Sequence, residues 1–316
     1  MHRVLGAGLL CTGLLCAGLL FGCAPTLQPP GPVATIPALG SQGFVTRDGL
    51  VLPVRCWQPV EGAPRAVVIA LHGFNDYAKA FDAPGQYLAG QGIAVYAYDQ
   101  RGFGASPHVG LWAGTERMVA DVADIAAEIG RRHPGVPLHL LGDSMGGAVA
   151  MVAATGPAPP RVDSVILVAP AVWGRETMPL PHRVALFLSA HTVPWLTLTG
   201  RGLKIRASDN IEMLRALGRD PLVIKETRVD AIHGLADLMD AALAAAPRLR
   251  IPLLLLYGDK DEIIPREAVA RTIDALPHDA DTQRKVVFYP DGYHMLLRDL
   301  KAQVVWDDIL LWIGLP

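Results

Sequence analysis

Cysteine is scarce in this sequence, and neither sign of charge is in marked excess. Cys11, Cys16 and Cys23 lie in the N-terminal stretch, which leaves Cys56 alone in the rest of the chain. One cysteine can build neither a disulfide framework nor a cysteine-based zinc site, so we expect Cys56 to be a small buried side chain in or beside a strand. The formal net charge of -2 excludes the basic surface typical of nucleic-acid-binding proteins.

Motifs that hold metals or cofactors are also missing. The sequence contains no metal-ligand spacing, no phosphate-binding loop and no complete dinucleotide fingerprint. The pair Gly102-x-Gly104 is too short for such a site and is better explained by close backbone packing. We therefore expect no cofactor and no metal. The 316 residues, 51% of them hydrophobic and 18% charged, suit one large domain with an ample core.

The N-terminal residues 1–23 differ from the rest of the chain. Met1-His2-Arg3 gives a short positive start, residues 4–20 are apolar, and the stretch ends at Cys23. The apolar run is short for a membrane span of about 20 residues, which favours a signal over an anchor helix. The segment resembles a bacterial lipoprotein signal, which implies lipidation of Cys23 and a membrane anchor. An uncleaved anchor and a plain secretory signal are the alternatives.

All three interpretations of the leader place the domain outside the cytoplasm, and the lipoprotein resemblance implies the bacterial cell envelope. Ala24 follows the cysteine, and by resemblance to lipoprotein sorting this implies the outer membrane. Residues 24–42 are rich in proline and glycine, so we expect a flexible tether. A folded core is then expected over 43–170 and 249–316, interrupted by 171–248.

Beyond residue 43, short apolar runs alternate with helical patterns. We expect a hairpin of 44–46 and 51–57 and buried strands at 66–71, 94–98, 138–141, 165–168, 253–257 and 286–289. Helices are expected at 78–90, 115–132, 145–155, 265–276 and 299–313. This order predicts an α/β fold, with a mostly parallel central sheet flanked by helices. The insertion 171–248 is too long for one crossover helix and predicts a helical cap with apolar faces.

Gly142-Asp143-Ser144-Met145-Gly146 matches the pattern G-x-S-x-G between a predicted strand and a predicted helix. In this motif a sharp turn exposes the serine oxygen above the sheet. Side chains at 142 and 146 would collide with neighbouring backbone, so Gly142 and Gly146 are needed for steric reasons. We therefore predict Ser144 as a nucleophile.

A serine hydroxyl needs a base, and the base needs an orienting acid. His294 follows the last predicted strand on a glycine-containing loop and is the predicted base. Asp261, at the tip of the loop before Pro265, is the favoured acid. Asp259, Glu262 and Asp291 are nearby carboxylates that stay open as alternatives, with Asp259 more often bracing such a turn.

Attack on a carbonyl carbon creates an oxyanion, which needs hydrogen-bond donors already in place. The backbone N–H groups of Met145 and Phe74 are the predicted donors. His72 and Gly73 precede Phe74, and we expect His72 to brace this loop rather than to act as a base.

Taken as a set, these residues resemble the α/β-hydrolase superfamily, and within it the monoacylglycerol lipase and lysophospholipase-like branch. The matching stretches are Leu71-His72-Gly73-Phe74, the run 99–106, Gly142-Asp143-Ser144-Met145-Gly146-Gly147, the Asp261 loop and Tyr293-His294. The resemblance implies Ser144 as nucleophile, Asp261 as acid, His294 as base, and Phe74 and Met145 as oxyanion donors. Two positions depart from that branch, since Asp143 stands where histidine is common and Met295 where glutamate is frequent.

The leading functional hypothesis is a serine hydrolase that cleaves carboxylic esters of lipid-like substrates, a monoacylglycerol or a lysophospholipid, through an acyl-enzyme. The same scaffold also serves esterases of small or xenobiotic esters, thioesterases and peptidases. Epoxide hydrolases and dehalogenases are disfavoured, because they need a carboxylate where Ser144 stands. A non-catalytic, membrane-tethered binding protein is the least favoured hypothesis.

Overall fold

The computed structural model describes residues 24–200, 202, 204–278 and 283–314. The predicted signal 1–23, with the lipidation site Cys23, lies outside the described residues. The strands are β1 (Ala38–Leu39), β2 (Phe44–Val45), β3 (Val51–Leu52), β4 (Val54–Trp57), β5 (Ala66–Leu71), β6 (Ile93–Tyr98), β7 (Leu138–Asp143), β8 (Ser164–Val168), β9 (Thr197–Thr199), β10 (Glu226–Arg228), β11 (Leu253–Gly258) and β12 (Arg284–Tyr289).

The α-helices lie between and after these strands. They are α1 (Asp82–Gly90), α2 (Thr115–Arg132), α3 (Met145–Thr155), α4 (Leu180–Thr192), α5 (Ile211–Arg219), α6 (Val229–Ala245), α7 (Arg266–Ala275) and α8 (Ala302–Ile313). Short 3₁₀ turns occupy Ala78–Phe81, Ala246–Arg248 and Leu296–Arg298. The alternation of strand and helix matches the order expected from the sequence.

A seven-stranded sheet forms the centre of the described part, in the order β12-β11-β8-β7-β5-β6-β4. The pairs are parallel except β4 with β6, which is antiparallel. Strands β5, β6, β7, β8 and β11 are buried along their whole length, as expected for strands covered on both faces. The predicted α/β-hydrolase architecture is confirmed.

Helices cover both faces of this sheet. Alternate side chains of a strand point to opposite faces, and β5 shows it: Val67, Ile69 and Leu71 pack with α2, α3 and α6, whereas Val68 and Ala70 pack with α1 and α8. The carboxyl ends of the parallel strands therefore meet at one edge, where the polar loops follow.

The predicted hairpin is present but shorter than expected. Strand β2 pairs with β3, with Phe44 opposite Leu52, and Pro53 follows. Proline lacks a backbone N–H, and beyond it β4 joins the edge of the large sheet instead. Cys56 lies on this edge strand and is exposed, so its expected burial was wrong.

Residues 24–42 contact the domain at several points, which differs from a flexible tether. The Gln28 N–H donates to the Trp112 carbonyl at 2.9 Å, and the Gln28 side chain is buried. Strand β1 pairs with β2, and the Gly31 N–H donates to Asp48 Oδ2. Because these hydrogen bonds fix the backbone to the core, the folded unit extends further toward the N-terminus than Gly43.

The inserted segment 171–248 contains two different parts. Helix α4, the β9–β10 ribbon and α5 lie outside the sheet layers, and α5 has no buried residue. Helix α6 instead packs on α3 and α2 and buries residues such as Leu238 and Ala242. The cap-like portion therefore precedes α6, and α6 belongs to the helical layer of the core.

Candidate active site

Ser144 occupies the tight turn between β7 and α3. Its φ of 51° lies in a region that non-glycine residues rarely adopt. The Ser144 N–H donates to the Val168 carbonyl at 2.9 Å, and its own carbonyl accepts the Ala171 N–H. These bonds to the end of β8 and to the segment after it hold the strained conformation in place.

The glycines of the motif allow close backbone contacts around this turn. A Cβ on Gly146 would lie 2.1 Å from the Leu71 carbonyl oxygen, and a Cβ on Gly142 would lie 2.4 Å from the Gly146 oxygen. Neither approach is compatible with a side chain. The steric need predicted for both glycines is therefore visible in the packing of α3 against β5 and β7.

The structure brings Ser144, His294 and Asp261 into one hydrogen-bonded line, although they are far apart in the sequence. Ser144 Oγ lies 2.9 Å from His294 Nε2, and His294 Nδ1 lies 2.8 Å from Asp261 Oδ2. A carboxylate can only accept, so Nδ1 carries the proton and Nε2 is free to accept from the serine hydroxyl. The Asp261 side chain is fully buried and that of His294 is 8% exposed.

Asp261 is also fixed through its second oxygen. Oδ1 accepts the backbone N–H groups of Ile263 and Ile264 at 2.7 and 2.9 Å. The orientation of the carboxylate, and through it that of the imidazole, is therefore set by the loop that follows β11.

The other carboxylates of this region form ion pairs or hydrogen bonds with residues other than His294. Asp259 pairs with Arg266, Glu262 accepts the Arg206 backbone N–H, and Asp291 pairs with Lys260 and Lys301. Of the acids that the sequence left open, the structure brings Asp261 to the histidine.

Two opposing effects act on the pKa of His294. Burial alone would lower it, because an imidazolium is costly to desolvate. The hydrogen bond and the negative charge of Asp261 act in the other direction, and the charge of Asp143 adds to them, so the pKa lies above the usual 6.5. The imidazole is thus a stronger base than a free histidine, as a proton acceptor for serine requires.

The loop after β5 lies directly against the nucleophile. A Cβ on Gly73 would lie 3.3 Å from Ser144 Cβ, which places the neighbouring Phe74 backbone beside the reacting atoms. On the other side, Met145 opens α3, and the first N–H groups of a helix have no partner within it. The oxyanion role of Phe74 and Met145 stays a prediction.

His72 stabilises the loop after β5 through hydrogen bonds of its ring. It is fully buried, its Nε2 accepts the Gln100 backbone N–H at 2.9 Å, and Nδ1 donates to the Gly73 carbonyl at 2.8 Å. Burial lowers its pKa, which keeps the ring neutral and suits these two bonds. These contacts fit the bracing function expected for His72.

A cavity of about 390 Å³ opens above Ser144 and His294. Most of its wall is apolar, with residues that include Trp173, Met178, Leu186, Leu235, Met239 and Ile263. The first three come from the part of the inserted segment that precedes α6, as expected for a roof over the site. Other apolar residues of that segment face outward, with Phe187 and Trp195 each 57% exposed.

One side of the cavity is lined by charged residues to which the sequence analysis assigned no role. Asp143, Asp76 and Arg298 line it together, and Arg298 Nη2 donates to Asp76 Oδ2 at 2.5 Å. Asp143 is 5% exposed and burial raises its pKa to about 6. The only sequence signal was Asp143 itself, as a departure from the resembled branch.

Comparison with known proteins places this geometry in a family. The family model described as Serine aminopeptidase, S33 matches residues 62–301. A monoacylglycerol lipase from Mycolicibacterium smegmatis is 30% identical over 279 residues, which is 85% of this chain and 95% of that protein. The human monoglyceride lipase is 26% identical over 89% of this chain and 92% of its own length.

Solved structures agree on the fold. A soluble variant of monoglyceride lipase from Saccharomyces cerevisiae, in complex with a substrate analogue, superposes with a TM-score of 0.72 at 21% identity, over 90% of this chain and 98% of that one. The monoacylglycerol lipase of Paleococcus ferrophilus gives a TM-score of 0.67 at 24% identity, over 83% and 98%. With the family match across most of its length, this chain belongs to the serine aminopeptidase family of α/β-hydrolases.

Proposed function

We propose that this protein is a serine hydrolase that cleaves carboxylic esters of lipid-like substrates, with monoacylglycerols as the leading substrate. The observation that carries this proposal is the hydrogen-bonded line of Ser144, His294 and Asp261 at the floor of a largely apolar cavity. Relatives named monoacylglycerol lipase, at up to 30% identity over most of the chain, support the choice of substrate.

The geometry supports a two-step acyl transfer. Ser144 Oγ attacks the ester carbonyl carbon while His294 Nε2 takes its proton. The carbonyl oxygen becomes an oxyanion held by the Met145 and Phe74 N–H groups. When the intermediate collapses, the carbon–oxygen bond to the alcohol breaks and His294 gives its proton to the leaving oxygen.

The second step returns the enzyme to its starting state. Water attacks the acyl-Ser144 ester, His294 takes a proton from that water, and the acid leaves as Ser144 regains its hydrogen. Asp261 holds the imidazole in the tautomer that both steps need and stabilises the imidazolium.

The cavity favours an acyl chain over a small substituent. Its volume of about 390 Å³ and its wall of large apolar side chains suit the burial of a hydrocarbon, which stabilises binding by about 0.8 kcal/mol for each buried methylene. Esters of short acids would leave much of this wall in contact with water.

A direct experiment uses p-nitrophenyl esters from acetate to long acyl chains with the wild type and Ser144→Ala. We expect kcat/KM to rise with chain length to octanoate or beyond and the variant to lose activity. Ser41→Ala, at an exposed position that does not line the cavity, is the matched control. Preference for acetate would contradict the lipid substrate, activity in Ser144→Ala would contradict the mechanism, and faster cleavage of aminoacyl p-nitroanilides would favour a peptidase.

We further propose that the protein is a lipoprotein of the bacterial cell envelope, anchored through Cys23 and sorted to the outer membrane. The short positive start, apolar run and cysteine of residues 1–23 support this. In the part of the chain that the structure describes, no helix is both long and apolar enough to cross a bilayer. Several acyl chains on one cysteine would give stable membrane binding.

Fractionation tests the anchor. In a bacterial host that lipidates such signals, the full-length protein is expected in the outer-membrane fraction and Cys23→Ser in the soluble fraction. Cys16→Ser is the matched control because it leaves the predicted site intact. Unchanged membrane association of Cys23→Ser would overturn lipidation.

A further inference from the structure

We propose that Asp143 binds a free hydroxyl group on the alcohol half of the substrate, so that the site selects esters of polyols over esters of simple alcohols. This inference rests on the proposed ester hydrolysis and narrows its substrate class to partial esters such as monoacylglycerols. It assigns a specificity role to a residue that exchanges no proton and forms no covalent bond in the catalytic steps.

Asp143, which lines the cavity, carries a buried hydrogen-bond acceptor without a partner among the described residues. The residue is 5% exposed, and in the described part of the chain its Oδ1 is buried without a hydrogen-bond partner. A buried polar atom without a partner costs on the order of 1–3 kcal/mol, and more when it is charged. Because the residue lines the cavity above Ser144, a ligand can supply the missing donor.

The position of Asp143 corresponds to the alcohol half of an ester. His294 gives a proton to the leaving oxygen, so the alcohol must lie beside the imidazole during the reaction. Asp143 interacts electrostatically with His294, Arg298 and Asp76, and these groups form the polar side of the cavity. The apolar wall on the rest of the cavity is left for the acyl chain.

Neighbouring charges favour a neutral donor over an ionic one. Asp76 is already occupied, since Oδ1 accepts the Tyr77 N–H and Oδ2 accepts Arg298. An anionic head group would meet the carboxylates of Asp143 and Asp76, and an ammonium group would meet the Arg298 guanidinium. A hydroxyl donates a hydrogen bond without adding charge, which suits Asp143 best.

The proposed hydrogen bond can be tested by a cycle of the double-mutant type. One change removes the hydroxyls from the substrate, and the other removes the Asp143 carboxylate from the enzyme. The substrates are 1-octanoylglycerol and propyl octanoate, which share the acyl chain and the ester and differ by two hydroxyls. For the wild type we expect kcat/KM to be roughly 10-fold to 100-fold higher for the glycerol ester. Most of this difference is expected in KM.

In Asp143→Leu the ratio of kcat/KM for the glycerol ester to kcat/KM for propyl octanoate is expected to fall to about one. Asp143→Asn keeps an acceptor oxygen and is expected to retain part of the preference. A preference that survives in Asp143→Leu, or an equal loss on both substrates, would overturn the inference. The equal loss would mean that Asp143 acts on the histidine or on the fold rather than on the hydroxyl.

A measurement on the wild type alone covers the case in which Asp143→Leu does not fold. Free glycerol is expected to inhibit p-nitrophenyl octanoate hydrolysis competitively, and propan-1-ol to inhibit less at the same concentration. Equal inhibition by both alcohols would overturn the inference. Failure of the wild type on every ester would instead overturn the proposed function, whereas ester hydrolysis without polyol preference overturns only this inference.

An aminoacyl p-nitroanilide tests whether Asp143 binds a cationic group instead of a hydroxyl. We expect that no cleavage of this substrate depends on Asp143. Cleavage that requires a free amine and disappears in Asp143→Leu would assign the carboxylate to an ammonium group instead.

Discussion

Ser144 Oγ lies 2.9 Å from His294 Nε2, although 150 positions separate the two residues in the sequence. The contact depends on the crowded turn at Ser144 and on the loop after β12, and both lie at the carboxyl edge of the parallel sheet.

Substitution of each carboxylate in turn distinguishes the catalytic acid Asp261 from its neighbour Asp259. Asp261→Asn is expected to lower kcat by about 10⁴-fold, because the imidazole loses the partner that fixes its tautomer. Asp259→Asn, on the same loop, removes only an ion pair with Arg266 and is expected to stay near the wild-type rate. Stopped assays on p-nitrophenyl octanoate give both rates, and a similar loss in the two variants would contradict the assignment of the acid.

The acid limb of the pH–rate profile is expected to depend on Asp143. The reaction needs neutral His294, so activity falls as the pH drops through the pKa of this residue, which lies above the usual 6.5. Asp143→Asn removes a negative charge that raises this pKa, so the midpoint of the limb should move to lower pH. Asp124→Asn, which removes a charge paired with Arg47, is the control expected to leave the midpoint unchanged.

The free energy of unfolding should also report the buried charge of Asp143. Burial raises its pKa from 3.8 to about 6, so the folded state holds this proton more tightly than the unfolded state. The resulting stability is present below about pH 4 and is lost as the pH rises through 6. Relative to Asp143→Asn, the wild type should therefore lose about 3 kcal/mol across this window, at about 1.4 kcal/mol per pKa unit. Urea unfolding at pH 4 and pH 7.5 measures this, and a constant difference would contradict it.

Crowding at the nucleophile turn predicts opposite effects for two glycines. Gly146→Ala would place a Cβ 2.1 Å from a backbone oxygen and is expected to destabilise the fold by roughly 2 kcal/mol or more. Gly130→Ala lies at an exposed position of α2, where a Cβ meets nothing within 4 Å, and should stabilise the protein by about 0.5–1 kcal/mol. Thermal unfolding of both variants is the measurement, and a fall in Tm for both would contradict the packing argument.

Much of this fold could be predicted because its strands are continuous apolar runs and its helices have clear boundaries. The order of serine, acid and histidine, each after a strand, also follows from the sequence of a parallel sheet. The position of Cys56 could not be predicted, since a strand pattern does not say that β4 lies at a sheet edge. Segment 24–42 contacts the core through backbone hydrogen bonds, such as Gln28 to Trp112, that its composition does not encode.

The charged side of the cavity could not be predicted from the sequence either. Asp76 and Arg298 come from loops more than two hundred positions apart, and only the folded chain places them beside Asp143. Sequence reasoning identified Asp143 as unusual for the resembled branch, but its burial and missing hydrogen-bond partner are tertiary facts.

Capture of the acyl-enzyme is the most direct test of Ser144 as the nucleophile. The wild type is mixed with p-nitrophenyl octanoate, quenched in acid within the first turnover and digested for mass spectrometry. We expect an octanoyl adduct on the peptide that contains Ser144 in the wild type and none in Ser144→Ala. An adduct on another residue, or undiminished turnover by Ser144→Ala, would contradict it.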